Sequence, residues 1–146
     1  MSQTLKVEGL AELTRRLRAL PEAVQTKALR GMVSAAAEIV RAEADLRAPV
    51  YSGPVGKRHP PPGSLKKAIY KARVTSESSA SREVWQVNVR RSGPAGAYYG
   101  AMVEYGTVKM APHPYMRPAW DAKRQAALEA MGTYLAYSLP GLAGGR

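Results

Sequence analysis

Residues 49–64 read Pro-Val-Tyr-Ser-Gly-Pro-Val-Gly-Lys-Arg-His-Pro-Pro-Pro-Gly-Ser, five prolines and three glycines in sixteen positions. Proline has no backbone N–H and fixes φ, so this stretch admits neither a helix interior nor a central strand. Pro60-Pro61-Pro62 favours a stiff polyproline II segment. Whatever core the chain builds must come from the segments on either side. A structureless loop this long is a projecting arm, expected to order when a partner is present.

The N-terminal side is helical in pattern. Residues 3–8 suit a short strand, and Leu10, Leu13, Leu17 and Leu20 then recur at helical spacing. Pro21 interrupts them and is tolerated in the first turn of a second, longer helix. The apolar stripe of that helix runs Val24, Ala28, Met32, Ala36, Ile39 or Val40, and Leu46, with Ala48-Pro49 at its end.

The C-terminal side mixes periods. Leu65 to Thr75 reads as a strand through Leu65, Ile69 and Val74, and 76–81 as a turn. Glu83 to Arg90 is a cleaner strand, with Trp85, Val87 and Val89 on the core face. Gly93, Pro94 and Gly96 mark another turn. Residues 98–105 fit either a strand, with Tyr99, Ala101, Val103 and Tyr105 inward, or a short helical turn running into one. Pro118 opens a last helix whose stripe is Trp120, Ala127, Leu128, Met131, Tyr134 and Leu135. Pro140-Gly141 is expected to stop it, leaving 141–146 as a flexible tail. The sum is one α+β domain over 1–146: a long N-terminal amphipathic helix and a C-terminal helix packed on a small antiparallel sheet, with a long Pro/Gly-rich basic loop.

Charge singles out the same loop. The net charge is +11, and residues 51–75 hold Lys57, Arg58, Lys66, Lys67, Lys71 and Arg73 with no acid. Such a patch suits a polyanion or an acidic protein surface, or simply a solvated loop. Tyr51 and Tyr70 beside those cations suit stacking on bases, although no helix-turn-helix, zinc-finger or RNP pattern accompanies them. Gly53-Pro54-Val55-Gly56-Lys57-Arg58 lacks the spacing, the hydroxyl residue and the preceding strand of a phosphate loop.

Catalysis finds no foothold in the residue pattern. The two histidines, His59 and His113, stand beside prolines in loops, with no carboxylate at metal-ligand spacing. No G-x-S-x-G elbow is present, and the acids beyond residue 43 are scattered. There is no cysteine and no apolar run long enough to span a membrane, and no secretory signal is visible. No enzyme activity, metal or cofactor is expected.

Residues 98–119 carry four of the eight tyrosines and three prolines. Within them Glu104 is the notable residue, since a carboxylate ending an apolar segment is costly unless paired or hydrogen-bonded. It is either a surface charge at a strand end or a partner in a salt bridge with Arg117 or with a neighbouring subunit's Arg or Lys. Gly106 suits a positive φ, and Pro112 and Pro114 fix how Tyr115 and Met116 project. Tyr115, Met116 and Trp120 are expected to pack in the core, where Trp120→Ala should cost roughly 3–5 kcal/mol.

Several pieces, taken in order, resemble the small neck or tail-completion proteins of long-tailed phages, the minor tail protein Z-like family. They are Val7-x-Gly9-Leu10-x-x-Leu13, the alanine-rich helix, Ala48-Pro49-Val50-Tyr51-Ser52-Gly53, Gly63-Ser64-Leu65-Lys66-Lys67-Ala68-Ile69, the Glu104-Tyr105-Gly106-Thr107 turn and Pro114-Tyr115-Met116-Arg117-Pro118-Ala119. The stretch between Gly53 and Gly63 departs from the pattern by its length. The resemblance implies a structural virion protein: a homo-oligomeric ring, hexameric or dodecameric, at the head–tail interface, assembled in the host cytoplasm. Its implied partners are the head-closure or connector protein, the tail terminator or tail tube protein, and DNA in the channel, with no membrane. It transfers no catalytic residue and no cofactor. On this reading Tyr51, Lys57, Arg58, His59, Lys66, Lys67, Glu104 and Arg117 are the candidate interface, and Gly106, Thr107, Pro114, Tyr115, Pro118 and Trp120 the structural signature. The alternative is a nonspecific nucleic-acid module using residues 51–73.

Overall fold

A computed structural model describes residues 10–53 and 60–143 of the chain. Its elements are α1 (Leu10–Arg18), α2 (Glu22–Arg47), α3 (Ser64–Ala68), β1 (Ile69–Arg73), a 3-10 turn (Thr75–Glu77), β2 (Trp85–Val89), α4 (Gly100–Tyr105) and α5 (Met116–Ala143). β1 and β2 pair antiparallel, with Ile69 opposite Val89 and Arg73 opposite Trp85. The fold is α+β, as the sequence leads one to expect. The expected strand at 3–8 lies outside the described residues.

The frame is α2 packed antiparallel on α5. The buried positions of α2 are Ala28, Met32, Ala36, Val40 and Ala44, an i, i+4 ridge of small and medium side chains that lets the helices approach closely. Ala28 and Met32 meet Leu135, Ala36 and Val40 meet Ala127, and Ala44 and Ala48 meet Ala119 and Tyr115. The hairpin lies against this pair. Trp85, Val87 and Val89 alternate with exposed Gln86 and Asn88, and Val87 and Val89 pack on the buried clusters. That is the face assigned from the sequence.

Five expectations are corrected. Leu46 is 73% exposed, because the ridge advances by four residues from Val40 to Ala44. Pro21 stands at the N-cap of α2 and not inside its first turn. The segment from Leu65 begins as α3, whose i, i+3 pair Leu65 and Ala68 is buried, and becomes strand only at Ile69. Residues 100–105 are helical, so Tyr105 and Ala101 face outward while Gly100 and Glu104 are buried. Finally, α5 continues through Pro140 to Ala143. A proline there forfeits one intrahelical hydrogen bond without ending the helix.

Candidate functional site: the Glu104 cap at the start of helix α5

Gly106 ends α4 with φ 76 and ψ 174, a backbone that glycine alone adopts cheaply. A Cβ there would stand 2.9 Å from the Met110 carbonyl oxygen and from the ring of Pro112. The chain makes a tight loop closed by a Thr107–Met110 bridge, and His113 N–H donates to the Val103 carbonyl at 2.8 Å. This loop carries residues 114–116 back across the end of α4.

There the carboxylate of Glu104 meets the start of α5. Its Oε2 accepts the N–H of Tyr115 at 2.7 Å and of Met116 at 2.9 Å, and its Oε1 accepts the N–H of Arg117 at 3.0 Å. The next residue, Pro118, has no N–H to satisfy. A helix start leaves its first N–H groups without partners and carries a partial positive charge. One buried carboxylate, 8% exposed, answers both needs from another helix. Glu104 therefore does pair with Arg117, but with its backbone. Among the described residues no ion pair to the Arg117 side chain accompanies it, so the expected intrachain salt bridge is corrected to a backbone cap.

Tyr115 completes the unit. It is 1% exposed, and its hydroxyl donates to the Gly100 carbonyl at 3.0 Å. Burial, with the Glu104 charge next in weight, pushes its phenol up to about 12. Gly100 has no side chain because none fits: a Cβ would lie 2.9 Å from Val89 Cγ1 and 3.0 Å from the Tyr115 hydroxyl. Trp120, expected in the core, is 52% exposed, and Tyr115 fills the buried aromatic place instead. The cost foreseen for Trp120→Ala belongs to Tyr115, since α5 turns Ala119 inward at that level.

Around this unit the surface is apolar. Tyr98, Met102, Tyr105 and Val108 are exposed, Val108 completely. Glu104, Tyr105, Pro114, Arg117, Pro118 and Asp121 line a shallow cavity of about 590 Å³.

The basic segment is less available than its charge implies. Lys66 Nζ donates to the Asp45 carbonyl at 2.7 Å. Lys71 Nζ reaches Ser34 at 3.1 Å and Glu38 at 3.3 Å. Arg73 holds Glu83 with two bonds of 2.6 and 3.0 Å. Lys67 stays exposed, and Arg90 lies 5.6 Å over the Tyr70 ring. Tyr51 is partly buried. Lys57, Arg58 and His59 lie outside the described residues.

Sequence reasoning missed Glu83. Its side chain is 1% exposed and takes Arg73, the Trp85 indole N–H at 2.9 Å, and Arg30 at 3.9 Å. The Arg73 guanidinium, chiefly, holds its carboxyl below the usual range. The one available signal was an acid placed just before an otherwise uncharged strand.

A second, larger groove of about 610 Å³ lies between α2, β2 and α5. Among the described residues no group of three or more His, Asp or Glu is placed to hold a metal ion, and no helix is long and apolar enough to cross a membrane. Comparisons with protein-family models, with curated proteins and with solved structures find no match to this chain.

Proposed function

We propose that this protein is a structural virion subunit of a tailed phage, a ring-forming neck or tail-completion protein that joins the head connector to the tail. The observation that carries the reading is that two separate pieces of the sequence signature form one physical unit. Glu104 of the Glu104-Tyr105-Gly106-Thr107 turn caps the helix opened by Pro114-Tyr115-Met116-Arg117-Pro118-Ala119. The exposed apolar residues Tyr98, Met102, Tyr105 and Val108 beside it support contact with another protein, since such patches on a monomer mark interaction surfaces. Head-to-tail contacts of this kind close rings.

The 49–64 arm reaches a neighbouring subunit or the adjoining ring, with Lys67 at its base. Deleting residues 54–62 in a phage that encodes the protein tests this directly. The deletion variant is expected to fold with unchanged helix content yet leave heads and tails unjoined. Normal infectious particles from it would refute the role. The nucleic-acid alternative loses support from the basic segment, because Lys66, Lys71 and Arg73 spend their charges on partners within the chain.

A further inference from the structure

The groove between α2, β2 and α5 is lined mainly by apolar side chains, among them Val33, Trp85, Val87, Trp120 and Leu128. No β1 residue lines it, so it lies on the side of β2 away from β1. Among the described residues β1 is the sole strand partner of β2, and its other edge is open. An open edge bordering an apolar trough is a template for one more strand, with backbone bonds to the edge and alternate side chains in the trough.

We propose that the occupant is the chain's own residues 3–8, added to β2 as a third strand. Three observations point to this segment. First, its sequence, Gln3-Thr4-Leu5-Lys6-Val7-Glu8, alternates polar and apolar, so Leu5 and Val7 share one face and Thr4, Lys6 and Glu8 the other. Second, it begins from the right place. Leu13 of α1 lines a cavity together with Gln125 and Leu128 of α5, and those two residues also line the groove. Residues leading into Leu10 therefore leave α1 beside the groove, and Gly9 supplies the backbone freedom for the turn. Third, the lengths agree. Six extended residues span roughly 20 Å, and the α5 wall from Met116 to Met131 runs about 22 Å at helical rise. Leu5 and Val7 would cover Trp85 and Trp120, and the polar set would face solvent. This inference stands apart from the ring reading.

The molecule carries its own reporters, because its two tryptophans, Trp85 and Trp120, both line the groove. The test compares two full-length double variants. Leu5→Lys with Val7→Lys places charge on the face that enters the groove, whereas Thr4→Lys with Glu8→Lys alters only the outer face. The first is expected to red-shift tryptophan emission, increase acrylamide quenching and speed exchange of the Val87 amide about tenfold or more, with helix content unchanged. The second is expected to match the parent. Equal behaviour of the two variants overturns the proposal and leaves the groove to another occupant, such as a small apolar molecule.

Should the first variant unfold, crosslinking decides instead, and the absence of cysteine makes it clean. Val7→Cys with Leu128→Cys is expected to crosslink within one chain, well above Val7→Cys with Lys67→Cys. Crosslinks only between chains assign the groove to a second copy and overturn the proposal, as does a yield no higher than that control.

Discussion

Glu104 and Tyr115 brace each other in both directions. The Tyr115 N–H donates to the Glu104 carboxylate at 2.7 Å, and the Tyr115 hydroxyl returns to Gly100 at the other end of α4 at 3.0 Å. The short helix is thus clamped at both ends by the first residues of the long one. The signature turn and the signature helix start are one structural device, and the residues of the turn that look outward are free for a partner.

Replacing Glu104 measures the cap. Glu104→Ala leaves three N–H groups without their acceptor and is expected to cost about 3–5 kcal/mol, since buried bonds to a charged acceptor contribute roughly 1.5–3 kcal/mol each. Glu104→Gln keeps one acceptor oxygen and should cost about half as much. Denaturant unfolding of the three proteins checks this. Losses under about 0.5 kcal/mol for both variants, the level of an ordinary surface change, would contradict the capping role.

Tyr115 predicts an alkaline weakness. Its phenol is raised from 10.0 to about 12 in the folded protein, so the folded state holds the proton more tightly than the unfolded one. The stability this represents is fully present below pH 10 and is lost as pH rises through 12, in total roughly 3 kcal/mol. Tyr115→Phe removes the titration and the hydroxyl together. Its stability should fall by about 1 kcal/mol at neutral pH, but decline less steeply than the parent between pH 10 and 12. Parallel curves would show that Tyr115 does not ionise on unfolding.

Glu83 predicts the opposite, acid-side behaviour. Its folded pKa is held below the ordinary 4.5, so its contribution is present above that pH and fades as pH falls further. Glu83→Gln should melt at a lower temperature than the parent at pH 7, and the gap should narrow below pH 4.5. A gap that stays constant across that range would mean the Arg73 pairing adds nothing specific.

Gly106→Ala tests the turn. The positive φ strains any side chain, and the new methyl would press on Met110 and Pro112 at 2.9 Å. A loss of roughly 1–3 kcal/mol is expected from the backbone alone, with displaced chemical shifts confined to 103–116 by NMR. An unperturbed spectrum would indicate that the loop relaxes freely.

Much of the fold was legible because its cues are local. The Leu10–Leu20 spacing, Pro21 and Ala48-Pro49 mark α1 and α2 within a residue or two. The Trp85-Val87-Val89 alternation marks the core face of β2. What was illegible depended on partners far away in sequence. Nothing around Leu65 says that its i, i+3 match with Ala68 outweighs alternation, because the choice is made by Ala44 and Tyr115. Trp120 reads as core and Ala119 as filler, yet the closeness of α2 to α5 leaves room only for the alanine. Glu104 was recognisable as a carboxylate in need of a partner, but three backbone N–H groups leave no mark in side-chain spacing. The basic segment misled for the same reason, since Asp45, Ser34 and Glu83 claim its lysines and arginine only once the chain is folded.

The central claim is that the chain works as a ring at the head–tail joint, and electron microscopy of purified particles tests it most directly. Particles carrying the protein tagged at its C-terminus should show the label as a closed ring between portal and tail, while particles lacking it should accumulate as separate heads and tails. A protein absent from finished particles, monomeric when pure and shifting DNA with a steep salt dependence that is lost on Lys57, Arg58, Lys66 and Lys67→Ala would contradict the account.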